Sequence, residues 1–79
     1  MQYDHRITGR VICRLRRERG LSQEVLSGLA AVSRSHLAEI ESGRTRANVE
    51  TLWRISGALG MRLSALILLV EQAMEEEAE

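Results

Sequence analysis

Between Ser33 and Arg46 the chain reads "SRSHLAEIESGRTR", and its polar side chains fall into two groups. At about 100° per residue, Ser35, Glu39 and Ser42 share one side of a helix. Leu37, Ile40, Ser33 and Glu41 share the other, with Ala38 at the edge. Arg34 sits in the first turn, where a long side chain swings outward. A face this short and rich in donors and acceptors suits the major groove of a duplex. Arginine forks onto the O6 and N7 of guanine, serine bonds several bases, and glutamate accepts from cytosine N4. An acid there also repels phosphate and so rejects wrong sequences. Arg34, Ser35 and Glu39 are therefore candidates for base contact. In "GRTR" that follows, Arg44 and Arg46 flank the Thr45 hydroxyl as a compact clasp for phosphate. Gln23, at the start of the preceding helix beside free backbone N–H groups, is a further phosphate candidate. The plain alternative is an ordinary solvated helix surface.

Other chemistry is poorly supplied. No nucleophile–base constellation, phosphate-cradling glycine loop or metal-ligand cluster is present in the sequence, so we expect no enzyme, cofactor or metal. His5 and His36 stand alone, although His36 could touch a phosphate. Cys13 is the one cysteine, and it reads as a small packing residue rather than a redox sensor.

The elements that must position these groups are helices. The 79 residues include no Phe and no Pro, and Ala, Leu, Arg and Glu are abundant, which favours an all-α domain. Caps and glycines punctuate five segments. Helix 1 runs from about Thr8 to Arg19 and stops at Gly20. Ser22 caps "QEVLSGLA", and Ser33 caps Arg34 to Ser42, which Gly43 ends. Asn48 caps Val49 to Leu59 before Gly60, and Ser64 caps a last helix that frays in "EEEAE". Helical periodicity turns inward Ile12 and Leu15; Leu26 and Leu29, with Val32 in the next turn; Leu37 and Ile40; Val49, Leu52, Ile55 and Leu59; and Leu63, Leu66, Ile67 and Val70. The link between helices 2 and 3 is so short that they must cross steeply, as in a helix-turn-helix, with Ser27, Gly28, Ala30 and Ala31 as the small residues at the approach. A generic helical hairpin is the bland alternative.

The formal charge is zero, but unevenly spread: residues 1–62 carry eleven arginines against six acids, and residues 63–79 carry five acids and no base. A basic body with an acidic end suits a nucleic-acid-facing surface. The polar N-terminus has no signal-peptide pattern and "ALILLV" is too short to cross a bilayer, so we expect a cytoplasmic protein with no membrane partner.

In register, "LR", "GLSQ", "VSRSHL", "IESG", "ETL" and "ALG" resemble the helix-turn-helix domain of the XRE family of phage-repressor and Cro-like regulators. The similarity covers about residues 9 to 68. It implies a compact five-helix all-α domain, with helices 2 and 3 as the helix-turn-helix and helix 3 as the recognition helix. It implies base-facing roles for Arg34, Ser35, Ala38 and Glu39, and DNA-backbone roles for Gln23, Ser42, Arg44 and Arg46. It also implies an ion pair between Arg16 and Glu41, and the helical wheel agrees by placing Arg16 near Ile12 and Glu41 near Leu37. The sequence departs from the family at Ala31, where a turn glycine is usual, at Ser27, usually alanine, and at Ala47, often proline. Size and layout resemble controller proteins of restriction–modification operons.

One small domain on one half-site would bind weakly, so we expect a homodimer on a palindrome. On helix 5, about residues 64–75, Leu66, Ile67, Val70, Ala73 and Met74 make one apolar side, and Leu68 and Leu69 point elsewhere. Leu68, Leu69 and Trp53 are the residues we expect a second copy to bury. The expectation is therefore a single domain spanning 1–79 that binds double-stranded DNA as a transcriptional regulator. The competing reading is an antitoxin or small adaptor that mainly holds a protein partner.

Overall fold

The computed structural model describes residues 2–78. Five α-helices follow in order: α1 (His5–Glu18), α2 (Gln23–Ala30), α3 (Arg34–Glu41), α4 (Val49–Ala58) and α5 (Leu63–Ala78). The described residues contain no strand, as the sequence leads one to expect. Helices this short are marginal alone and depend on packing. α1 packs against α3 and α5, α2 against α3 and α4, and α4 against α5.

The starts of the middle helices are local chemistry. The Ser22 hydroxyl accepts from the Val25 N–H at 3.0 Å, that of Ser33 from His36 at 3.0 Å, and Asn48 Oδ1 from Thr51 at 2.8 Å. Each satisfies a donor that the first helical turn leaves open. The outer helices differ from expectation. α1 begins at His5, not Thr8, because Asp4 caps it, its Oδ1 accepting from Arg6 N–H at 3.0 Å. The added turn brings Ile7 and Thr8 into the core. α5 begins at Leu63, so Ser64 lies inside its first turn rather than capping it. It also stays helical through Ala78, since Met74 is buried and Glu77 pairs with Arg10 on α1. Glu79, the last residue of the expected frayed end, lies outside the described residues.

Most inward positions are as the periodicity indicates, but two are not. Leu29 and Val49 are 62% and 70% exposed. α2 buries Leu26, Ser27 and Ala30, and Leu29 lies roughly 100° around the helix from the middle of that stripe. Val49 is on the covered side of α4 but is its first residue, past the end of the packed face.

The small residues also act elsewhere than expected. Ser27 and Ala30 are buried between α2 and its neighbours, but Gly28 is exposed and a Cβ there would meet nothing within 4 Å. The tight crossing is between α1 and α3, at Gly9. A Cβ on Gly9 would lie 2.0 Å from the Ile40 carbonyl oxygen, so only glycine fits. Ala31, between α2 and α3, takes the left-handed conformation at φ 56° and ψ 41°, which costs an L-residue about 1–2 kcal/mol.

Two substitutions should therefore move stability in opposite directions in chemical denaturation. Gly9→Ala should lose about 1–3 kcal/mol by forcing α1 and α3 apart. Ala31→Gly should gain about 0.5–1 kcal/mol, the strain relieved less the unfolded-state entropy of glycine. Unchanged midpoints for both would contradict this backbone geometry.

Candidate nucleic-acid interface

The site is built on how α3 is held. Its apolar anchors are only Leu37 and Ile40, 0% and 1% exposed. Its third anchor is charged. Arg16 of α1 donates from Nε to Glu41 Oε2 at 2.8 Å and from Nη2 to Oε1 at 2.9 Å. This two-pronged contact is the strong form of an ion pair, because two parallel bonds fix direction as well as distance. Each residue is only 8% exposed. The spare donors and acceptors are used: Arg16 Nη1 donates to the Leu21 carbonyl at 2.8 Å, and Gln23 Nε2 to Glu41 Oε1 at 3.0 Å. Arg16 Nη2 also approaches Cys13 Sγ at 3.7 Å. α1 and α2 thus converge on one carboxylate of α3.

The pair's protonation follows from its surroundings. Burial pushes the Glu41 carboxyl up, but hydrogen bonds from Arg16 and Gln23 and the charge of Arg16 outweigh it and hold the group below the usual range. The hydrogen bonds from Arg16 to Glu41 in turn raise the arginine, against the opposing effect of burial.

With its inner face fixed, α3 turns Arg34, Ser35 and Glu39 to solvent, with Ala38 half-buried beside them. Ser42 is exposed, and its hydroxyl donates to the Glu39 carbonyl at 3.2 Å. Gly43, at φ 80°, turns the chain out of the helix, and Arg44 and Arg46 stand exposed around a half-buried Thr45. Gln23 is half-buried and gives one amide hydrogen to Glu41, which leaves its second free. His36 is half-buried.

Three of the chain's arginines stand together at this edge without an ion-pair partner among the described residues. Among the described residues Arg6, Arg10, Arg14, Arg16 and Arg54 each pair with an acid. Arg34, Arg44 and Arg46 do not, and neither do Arg17, Arg19 and Arg62. His5 also belongs to this region, which its isolation in the sequence conceals. Its ring lies 3.0 Å from the Gly43 carbonyl oxygen and 3.4 Å from Arg46 Nε. No local signal marks that contact, because the partners are about forty residues away along the chain.

The residues expected at a dimer contact belong to α4 and α5. Trp53 and Leu68 are 68% and 52% exposed. Leu69 is half-buried and packs against the chain's own core. Trp53, Met61, Leu63 and Ile67 line an open groove of about 830 Å³ between α4 and α5. Among the described residues no single helix is long and apolar enough to cross a membrane.

Removing the Glu41 carboxylate leaves a buried guanidinium without its counter-charge. Glu41→Ala should therefore destabilise the fold by about 3–5 kcal/mol. Its folded-state carboxyl is depressed, so its stabilisation is present above the unfolded-state range and is lost as pH falls through the folded value. The acid limb of a stability–pH curve should be shallower in Glu41→Ala than in the wild type. Wild-type stability in the variant, or an identical acid limb, would show that the pair contributes nothing.

The comparisons agree with this fold. The helix-turn-helix family model HTH_3 matches residues 14–66. An immunity repressor protein of Bacillus phage phi105 is 41% identical over 71 residues, which is 90% of this chain and 49% of the repressor. The chain thus spans about half the length of that relative. An uncharacterized HTH-type transcriptional regulator of Sinorhizobium fredii is 38% identical over 56 residues, 71% of this chain and 73% of that protein. Among solved structures, the restriction-modification controller protein C.AhdI from Aeromonas hydrophila superimposes with a TM-score of 0.77 at 28% identity, covering 80% of this chain and 96% of that one. These relatives are regulators rather than enzymes. With the α2–α3 unit and its buried ion pair in place, the chain belongs to the HTH_3 (XRE) helix-turn-helix family of DNA-binding transcriptional regulators.

Proposed function

We propose that the chain binds double-stranded DNA sequence-specifically as a homodimer, with α3 in the major groove of each half of a palindromic operator. The observation that carries this reading is the outer edge of α3: an exposed hydrogen-bonding face bounded by three arginines without acid partners among the described residues. Arg34 forks onto guanine, Ser35 bonds a neighbouring base, and Ala38 admits close approach or meets a thymine methyl. Glu39 accepts from cytosine or excludes other sequences by repulsion. Gln23, Ser42, Arg44, Thr45 and Arg46 grip phosphates on either side and set the register without reading sequence. Ser42 must turn its hydroxyl from the Glu39 carbonyl to do so.

Pairing of two copies places the recognition helices about 34 Å apart, one turn of DNA. The groove beside Trp53 and the exposed Leu68 support a contact through α4 and α5. Leu69 contributes its remaining exposed part. The likeness to a phage immunity repressor supports repression as the mode of regulation, and the reading puts the protein in the cytoplasm, at the nucleoid. The same groove favours the second reading, an antitoxin or adaptor: an apolar cleft with acidic residues along α5 also suits a basic protein partner.

Base reading and phosphate gripping separate experimentally. Arg34→Ala should cost about 1–3 kcal/mol on the preferred site and relax one base position, with little loss on other sequences. Arg46→Ala should weaken binding evenly on all sequences and reduce the slope of affinity against salt by about one unit. Equal loss on every sequence for Arg34→Ala, or an unchanged salt slope for Arg46→Ala, would remove the assigned roles.

A further inference from the structure

We propose that His5 is a positioning residue for the arginine loop after α3, its imidazole bridging Gly43 and Arg46 so that Arg46 meets DNA already oriented. The proposal rests on the phosphate role of Arg46 given above. His5 is the first residue of α1, and the α1 N-terminus lies against the loop. Its Nε2 is 3.0 Å from the Gly43 carbonyl oxygen and its Nδ1 3.4 Å from Arg46 Nε. A carbonyl only accepts and a guanidinium only donates. The two partners therefore ask for one and the same tautomer: a neutral ring that donates from Nε2 and accepts at Nδ1. Arg46 spends Nε on this bond and keeps both terminal amino groups for a phosphate.

The residues on either side of His5 complete the support. A Cβ on Gly43 would lie 2.8 Å from Arg6 Cγ and 3.2 Å from Arg6 Cβ, so the aliphatic stem of Arg6 packs directly against the loop. The Arg6 head is turned away by Asp4, whose carboxylate accepts from Nε at 3.1 Å and from Nη2 at 2.9 Å. Asp4 also caps α1. Hydrogen bonds from Arg6 hold the Asp4 carboxyl down to about 2. Asp4, His5 and Arg6 thus form a rack on which the loop rests. A free arginine side chain gives up considerable rotamer freedom when it binds, and one already tethered gives up less.

The test uses the full chain and a mixed-sequence DNA duplex. At about 0.1 M salt, His5→Ala should bind about three- to tenfold more weakly, with a melting temperature close to wild type. It should cause no further loss when added to Arg46→Ala, because it acts through that residue. His5→Asn, which sets an amide oxygen where Nδ1 stands, should recover part of the loss. Wild-type affinity in His5→Ala, or losses that add in the double variant, would overturn the proposal. If the wild type binds no duplex at all, the DNA reading fails. The rack is then read from nitrogen-detected imidazole spectra of the free protein. A hydrogen on Nε2, with an Arg46 Nε resonance that shifts in His5→Ala, supports it; a hydrogen on Nδ1 overturns it.

Discussion

Everything the outer face of α3 can do depends on the ion pair beneath it. An eight-residue helix with two fully buried apolar side chains is held by too little to fix its rotation. Arg16 and Glu41 add the missing constraint, and their two-pronged geometry resists both sliding and turning. Such a pair gains little stability over well-packed apolar residues, since desolvation offsets most of the attraction. Its value lies in position. The carboxylate takes bonds from α1 and from the first residue of α2, so the two helices of the helix-turn-helix are referred to one point. Gly9 acts alongside it, letting α1 come close enough to α3 for the guanidinium to reach.

That arrangement also organises the charge. The chain is neutral as a whole, which by itself argues against attraction to a polyanion. Pairing within the fold changes the picture. The acid Asp4 is taken by Arg6, Glu77 by Arg10, and Glu41 by Arg16. The arginines at the rim of α3 keep their charge exposed. A short-range field set by which charges are paired matters more at contact distance than the sum over the chain, since solvent and salt screen the rest.

The sequence revealed what is local. Ser22, Ser33 and Asn48 cap the helices they precede because a cap needs only its own side chain and the next turn. The inward positions of α3 followed from its period. What stayed hidden was long-range. A wheel separates two sides of a helix but does not say how far cover extends, and so periodicity points Leu29 and Val49 inward although both are exposed. Gly9 gives no sign in the sequence that a carbonyl from α3 lies against it. The persistence of α5 through its acidic end depends on Met74 and on an arginine 67 residues earlier. The candidate site divides in the same way. Arg34, Ser35 and Glu39 were legible from spacing, and the Arg16–Glu41 pair from family resemblance. The links from Gln23 to Glu41 and from His5 to the loop required the fold.

If α3 is a sequence-reading surface used in pairs, it must select a symmetric site from unrelated DNA. The most direct measurement is selection of bound duplexes from a random-sequence DNA pool by the wild-type chain. The expected outcome is enrichment of an inverted repeat whose half-sites are centred about one helical turn apart. A pool that remains random after repeated rounds would contradict it.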